Sequence, residues 1–449
     1  MRSFRFAKVI ATFLASVLLI QMLHACGAEP QATDQTQLTI ATVNNGDMVV
    51  MQDLSRKFEA DNPDIELRWV VLEENILRQR TTTDVASGGG QFDVLTIGSY
   101  ETPIWAKRGW LKPLDHLPTE YDVDDLIDPI RQGLSQDGTL YALPFYGESS
   151  MLYYRRDLFE KAGIAVPANP TYEQVSEWAE KVNDPSNGVY GMCLRGKPGW
   201  GENMAFLTTL VNTFGGQWFD MDWNPQLNSP EWKNAVNYYV DTLNKYGPPG
   251  ASSNGFNENL ALFSTGKCGM WIDATVAAGL LSNPEVSQVS DQVGFAAAPV
   301  ASYPNGSNWL WAWSLAIPET SRSPEAAQRF ITWATSKEYI QLVADESGWI
   351  SVPPGTRTST YDNPEYQKVA PFAQTVLTSI ESADVENPSA SPTPYKGIQY
   401  VDIPEFQAIG TQVGQRMAEA LAEKVSVDKA LDGSQAVAER FMRHVGYIE

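Results

Sequence analysis

The sequence predicts an α/β protein built from two domains. Three observations carry this expectation. Apolar strands alternate with amphipathic helices from Leu38 to Gly98, the pattern of a sheet covered by helices on both faces. Residues 38–449 are enough for two cores of ordinary size. No internal repeat, heptad array or second long apolar run points to another architecture.

The chain opens with Arg2, Arg5 and Lys8, followed by the apolar run Val9 to Ile20. That run is shorter than the roughly 20 residues a membrane span needs, so residues 1–25 read as a signal peptide. Leu23-His24-Ala25-Cys26 resembles a bacterial lipobox, with His24 departing from the usual small residue. The motif implies acylation of Cys26 and anchoring to the outer side of the bacterial membrane. The alternative is plain secretory cleavage with a passive thiol. The polar residues 26–37 then read as a flexible tether.

Past the tether, Leu38 to Val43 is a short apolar strand. Met48, Met51, Leu54 and Phe58 recur at helical spacing until Asn62-Pro63 stops them. Ile65 to Val71 is the next strand. A helical stretch runs from there to Gly88-Gly89-Gly90, and Phe92 to Gly98 is the third strand. This order implies a parallel sheet. Helix starts are marked by Thr171-Tyr172-Glu173-Gln174, a capping box, and by Ser229-Pro230-Glu231 and Ser323-Pro324-Glu325, each a capping serine before a first-turn proline. The first of these serines leads a helix to Gly247, and the second leads one with Ala327, Phe330, Ile331 and Ala334 on a single face. A Pro-rich stretch near residues 386–397 precedes an amphipathic helix around Gly410 to Ala422.

Composition excludes several chemistries. With 54 acidic and 32 basic residues the formal charge is −22, and signal removal takes away three positive charges and no acid. Nucleic acid and anionic lipid are disfavoured as partners. Beyond the signal only His116 and His444 remain, so no His-rich zinc cluster or Ser-His-Asp triad can form without them. No GxGxxG, GK[ST] or GxSxG motif is present. Asp220, Asp222, Asn224 and Glu231 have calcium-loop spacing, but Pro225 stands where that loop needs glycine. No cofactor or metal is called for. No carboxylate pair is singled out for glycoside hydrolysis. Cys193 and Cys268 suggest an extracytoplasmic disulfide, with two buried thiols as the alternative.

In "NWLWAWSLAI" (Asn308 to Ile317), Trp309, Trp311 and Trp313 stand at alternate positions and would share one face of a strand. They are either core or the wall of a site for a ligand with apolar faces and polar edges.

Phe58 to Leu67, Phe92 to Ser99, Tyr141 to Ile164 and Trp309 to Tyr339 together resemble the sugar-binding extracellular solute-binding proteins of bacterial ABC transporters. Cys193 to Phe206 and Gly348 to Ala373 resemble the branch that binds linear polyols such as sorbitol and mannitol. The resemblance implies two α/β lobes with a ligand cleft between them and several crossing segments. Lobe 1 would hold residues 38–146 and 303–347, and lobe 2 residues 147–302 and 348–449. Where the family's strand carries two glycines before its Trp-x-Leu-Ala-Ile, this chain has Trp311 and Ala312, which would narrow the cleft.

The ligand-binding candidates follow from that frame. Asn45 and Asp47 follow the first strand, with a helix N-cap as the alternative role. Ser99, Tyr100 and Glu101 end the third strand, and one of them is expected to touch ligand. Tyr146 and Glu148 lie at the first crossing; a carboxylate there could accept two hydroxyls. Trp200, Glu202, Asp273, Trp311, Trp313, Trp349 and Arg357 complete the set, with Trp309 expected at the core or rim. The implied activity is capture of a neutral polyol or small sugar by a monomer. The ligand would pass to two membrane permease subunits served by a cytoplasmic ATPase. Glucosylglycerol, trehalose or maltose are alternative ligands. A glycosidase is the rival from another class, and a role in feeding a chemoreceptor stays open.

Overall fold

The computed structural model describes residues 35–449. The signal peptide and the Cys26 anchor fall outside the described residues. Ten strands form two main sheets and one small hairpin: β1 (Thr36–Val43), β2 (Ile65–Leu72), β3 (Val94–Gly98), β4 (Ser135–Gln136), β5 (Thr139–Leu140), β6 (Ala142–Glu148), β7 (Ser150–Arg155), β8 (Met270–Ala274), β9 (Val293–Ala297) and β10 (Trp311–Ala316). The larger sheet has the order β2-β1-β3-β10-β6 and the smaller β8-β7-β9, while β4 pairs only with β5.

The expected parallel pairing holds for β1 with β2 and β3. It fails at β10, which runs antiparallel to both β3 and β6 because the chain re-enters this sheet from the other lobe. The smaller sheet is antiparallel throughout. The first strand begins two residues before the expected Leu38: Thr36 and Gln37 already pair with Ile65 and Glu66 in β1. Gln37 completes the edge by donating to Glu66 at 3.0 Å and accepting from Arg68 at 2.9 Å.

Helix signals act much as their chemistry dictates. Gly46–Asp61 buries Met48, Met51 and Phe58, and Glu74–Ser87 ends at Gly88 in the left-handed region. Thr171 and Gln174 form the reciprocal cap of Tyr172–Val182. Ser229 caps Pro230–Tyr246, whereas Ser323 makes no side-chain cap for Pro324–Ala334. The C-terminal helix is longer than expected, Phe406–Leu421, and a further helix, Val427–Val445, packs on it. Phe406–Leu421 packs on both Asn203–Thr213 and Pro230–Tyr246, and Val427–Val445 packs on the latter. Every residue of Asn203–Thr213 is buried, which makes it the central helix of the second lobe.

Three segments cross between the sheets. The first is continuous from β6 into β7 at Glu148 to Ser150, and the second is residues 298–310 between β9 and β10. The third passes through Val352 to Thr356. Gly147 donates its N–H to Pro354 at 2.9 Å. A Cβ on Gly147 would stand 2.3 Å from the Gly355 carbonyl oxygen, and Gly355 adopts φ +73°. Only glycine allows two crossing backbones to touch this closely. Cys193 and Cys268 are joined as a disulfide, with Cα atoms 6.0 Å apart, tying the Tyr190–Cys193 segment beside β8.

Candidate functional site

A cavity of about 250 Å³ lies between the lobes. Val43, Asn45, Glu74, Arg78, Tyr146, Trp311 and Trp313 reach it from the larger sheet's side. Glu148 reaches it from the end of β6, where the chain crosses, and Arg195, Lys197, Trp200, Glu202, Phe256, Asn257 and Gln399 reach it from the other side. Its size falls just below the roughly 300–1,000 Å³ of pockets for drug-sized ligands, which suits a small molecule better than an oligosaccharide.

The tryptophans enclose it because of where β10 sits. Trp311 and Trp313 project from one face of that strand, Trp309 precedes it, and all three line the cavity. The structure therefore moves Trp309 from the expected core or rim to the cavity wall, at 2% exposure. Trp311 fits because its neighbour is Gly98: a Cβ there would stand 1.9 Å from the Trp311 Cζ2. Trp200 comes from the opposite lobe to within 6.0 Å of Trp311, ring centre to ring centre, edge to face.

Arg78 sits inside this aromatic box. Its guanidinium carbon is 4.1 Å from the Trp200 ring centre and 4.8 Å from both Trp311 and Trp313. Glu74 accepts from its Nε at 3.1 Å, and Glu101 accepts from its Nη1 at 2.7 Å. Burial opposes the charge, but the two carboxylates outweigh it and raise the guanidinium's affinity for its proton.

A second network lies opposite. Arg195 donates from Nε to Asp273 at 2.9 Å, from Nη2 to Asp273 at 2.6 Å and from Nη1 to the Gly201 carbonyl at 2.9 Å. Burial again opposes the charge, and Asp273 more than restores it. Lys197 pairs with Glu73 across the lobes and with Glu202 at 3.3 Å. Burial, reinforced by Glu74, pushes the Glu202 carboxyl above its ordinary range against the pull of Arg195 and Lys197. Burial pushes Glu148 well up too; Arg195 opposes this, and Asp273, Glu74 and Asp47 add to it.

Four side chains on the cavity wall keep a buried polar atom without a protein partner: Asn45 Oδ1, Glu202 Oε2, Trp200 Nε1 and Trp309 Nε1. The first two are acceptors and the last two donors. A hydroxyl serves both kinds, so a ligand rich in hydroxyls suits this wall.

Of the sequence candidates, Asn45, Tyr146, Glu148, Trp200, Glu202, Trp311 and Trp313 line the cavity. Asn45 occupies an N-cap position yet makes no side-chain cap; its Nδ2 donates to the Tyr146 Oη at 2.6 Å instead. The others stand elsewhere. Asp47 lines a separate crevice of about 230 Å³, and burial pushes its carboxyl up to about 7. The structure ends β3 at Gly98, and none of the three residues that follow lines the cavity: Trp200 packs on Tyr100, and Arg78 pairs with Glu101. Ser99 Oγ accepts from the Ala312 N–H at 3.0 Å, Tyr100 donates to the Ile403 carbonyl at 2.9 Å beneath Trp200, and Glu101 is spent on Arg78 and the Gly98 N–H. Asp273, 1% exposed, faces Arg195. Trp349 is half-buried in a short helical turn away from the cavity. Arg357, at 0% exposure, bonds to the Asp122 and Thr335 carbonyls at 3.1 and 3.2 Å and stacks on Tyr121, which makes it an internal clamp.

Sequence reasoning missed Arg78, Arg195 and Lys197. Arg78 reads as half of an ordinary Glu74–Arg78 pair at i,i+4 spacing, usually a solvated one. Arg195 and Lys197 stand in the stretch that carries the polyol-like resemblance, five and three residues before Trp200. Among the described residues no group of three or more His, Cys, Asp or Glu could hold a metal ion. No described helix is long and apolar enough to cross a membrane.

The profile of the bacterial extracellular solute-binding protein family matches residues 45–341. A mannitol-binding protein from Pseudomonas aeruginosa is 54% identical over 438 residues, spanning 98% of this chain and 99% of the relative. The crystal structure of an ABC transporter solute-binding protein from Agrobacterium vitis with bound D-mannitol superposes with a TM-score of 0.90 at 59% identity, covering 92% of this chain and 100% of that one. A ribitol complex of such a protein from Agrobacterium radiobacter gives a TM-score of 0.80 at 27% identity, covering 90% and 98%. The two-lobed architecture with the cavity between the lobes is therefore that of solute-binding proteins, and this chain belongs to the bacterial extracellular solute-binding protein family.

Proposed function

We propose that this chain captures a neutral linear polyol, mannitol or sorbitol in kind, and delivers it to the permease pair of an ABC importer. The observation that carries the reading is the small cavity between the lobes, walled by four indoles and by donors and acceptors without hydrogen-bond partners. An alditol's C–H faces pack on the rings while its hydroxyls engage the polar atoms. The likeness to a mannitol-binding protein and to a mannitol complex supports the same ligand class.

Capture works by lobe closure. A ligand touching both walls binds the closed state better and shifts the population toward it. Asn45, Tyr146, Trp311 and Trp313 serve as contacts from one lobe, Trp200 and Glu202 from the other, and Glu148 from the first crossing. The lobes divide at residues 38–146 with 303–347 and 147–302 with 348–449. The chain acts as a monomer without catalysis, held to the outer side of the membrane by acylated Cys26.

Deletion of the gene from its source cell tests the role. Uptake of radiolabelled mannitol or sorbitol should fall to background and return with the intact chain. Undiminished uptake of both would sink the importer reading. A Cys26→Ser chain that still partitions with membranes would remove the anchor.

A further inference from the structure

The charges bordering the cavity are unbalanced. Its three cations are all engaged: Arg78 by Glu74 and Glu101, Arg195 by Asp273, and Lys197 by Glu73 and Glu202. Glu148 lines the cavity at 6% exposure, yet among the described residues nothing hydrogen-bonds or ion-pairs with its carboxyl. The charged groups that face it are Arg195, already committed to Asp273 and Gly201, and the acids Asp273, Glu74 and Asp47. A buried carboxylate without a counter-ion is costly, and its raised proton affinity is the expression of that cost.

We infer that the cavity sorts polyols by charge, taking cationic amino-alditols in preference to neutral ones and excluding polyols that carry a carboxylate or phosphate. An ammonium group beside Glu148 supplies the missing counter-ion in a site already shielded from water. An anionic ligand meets Glu148, Glu202 and Glu74 and finds no uncommitted guanidinium or ammonium. This inference rests on the polyol reading above, and it names which polyols the site accepts.

The test is calorimetric titration of the signal-free chain near pH 7 with three ligands sharing one carbon skeleton: sorbitol, 1-amino-1-deoxysorbitol and gluconate. The amine should bind about tenfold tighter than sorbitol, and gluconate at least about a hundredfold weaker, as close charge pairs and like-charge contacts require. Glu148→Gln should reduce the amine's advantage over sorbitol to a few-fold, with the variant's far-ultraviolet circular dichroism and urea unfolding as the check on folding. An amine that binds more weakly than sorbitol, or gluconate within tenfold of it, overturns the inference while leaving the polyol reading in place. No binding of sorbitol or mannitol overturns the polyol reading and this inference together.

Discussion

The guanidinium of Arg78, on the helix beside the larger sheet, lies 4.1 Å from the ring centre of Trp200, which belongs to the opposite lobe. Glu74 and Glu101, both on the side of Arg78, fix the orientation of the guanidinium without any contact from the opposite lobe. The indole of Trp200 is what the opposite lobe adds to that charge pair.

Arg78→Lys should keep the charge and lose the planar fork over three indoles. Cation–π contacts are worth about 0.5–2 kcal/mol, so hexitol affinity should fall about tenfold by calorimetry with a smaller loss of thermal stability. Arg78→Ala strands two buried carboxylates and should destabilise by about 3–5 kcal/mol. A lysine variant that binds like the parent would show that Trp200 does not use this charge.

Gly98→Ala should force Trp311 off its position, since the new methyl would overlap the indole. Overpacking of this kind costs about 1–3 kcal/mol. Trp311→Leu in the same chain should recover much of the loss in urea unfolding. Simple additivity of the two changes would contradict the direct contact.

The opening strands and the helices with marked starts were legible because burial follows period: Met48, Met51 and Phe58 mark a helix face, and the alternating tryptophans mark one side of β10. Of the seven site candidates on the cavity wall, Asn45, Tyr146, Glu148, Trp311 and Trp313 lie in or beside the strands that meet the cleft, where topology alone aims them, and Trp200 and Glu202 stand in the turn before Asn203–Thr213. The ion networks were not legible. Arg78 meets Glu101 across 23 residues and Arg195 meets Asp273 across 78, and no spacing rule connects such partners. Ser99 to Glu101 misled for the same reason, as their partners Ala312, Ile403 and Arg78 come from other segments. The antiparallel course of β10 depends on a return from the second lobe, which strand–helix alternation in the opening segment does not encode.

Removing the disulfide with Cys193→Ser and Cys268→Ser should cost about 4 kcal/mol in the chain-entropy model for its 75-residue separation. Cys193 is two residues from Arg195, and it bridges to Trp271, whose Nε1 donates to Asp273 at 3.0 Å. Ligand affinity should therefore drop as well, readable by titration of the double variant. Unchanged stability in urea would contradict a structural bond here.

Acidity should favour the unliganded fold. Burial raises the Asp47 carboxyl to about 7, above its unfolded value, so the folded protein binds more protons between about pH 4 and 7 and loses stability as pH rises through that window. Glu148 and Glu202 shift in the same direction. The melting temperature should fall from pH 5 to pH 8, and Asp47→Asn should flatten the slope. A steeper slope in that variant would reverse the sign argued here.

The most direct test of the central claim is thermal unfolding of the signal-free chain against mannitol, sorbitol, ribitol, glucosylglycerol, trehalose, maltose and an amino acid. A ligand at 100 times its dissociation constant stabilises by about 2.7 kcal/mol, a readable shift. The account predicts that shift for the linear alditols and none for the disaccharides, whose rings do not fit between Trp200, Trp309 and Trp311. Stabilisation by maltose or trehalose with no response to any alditol would contradict it.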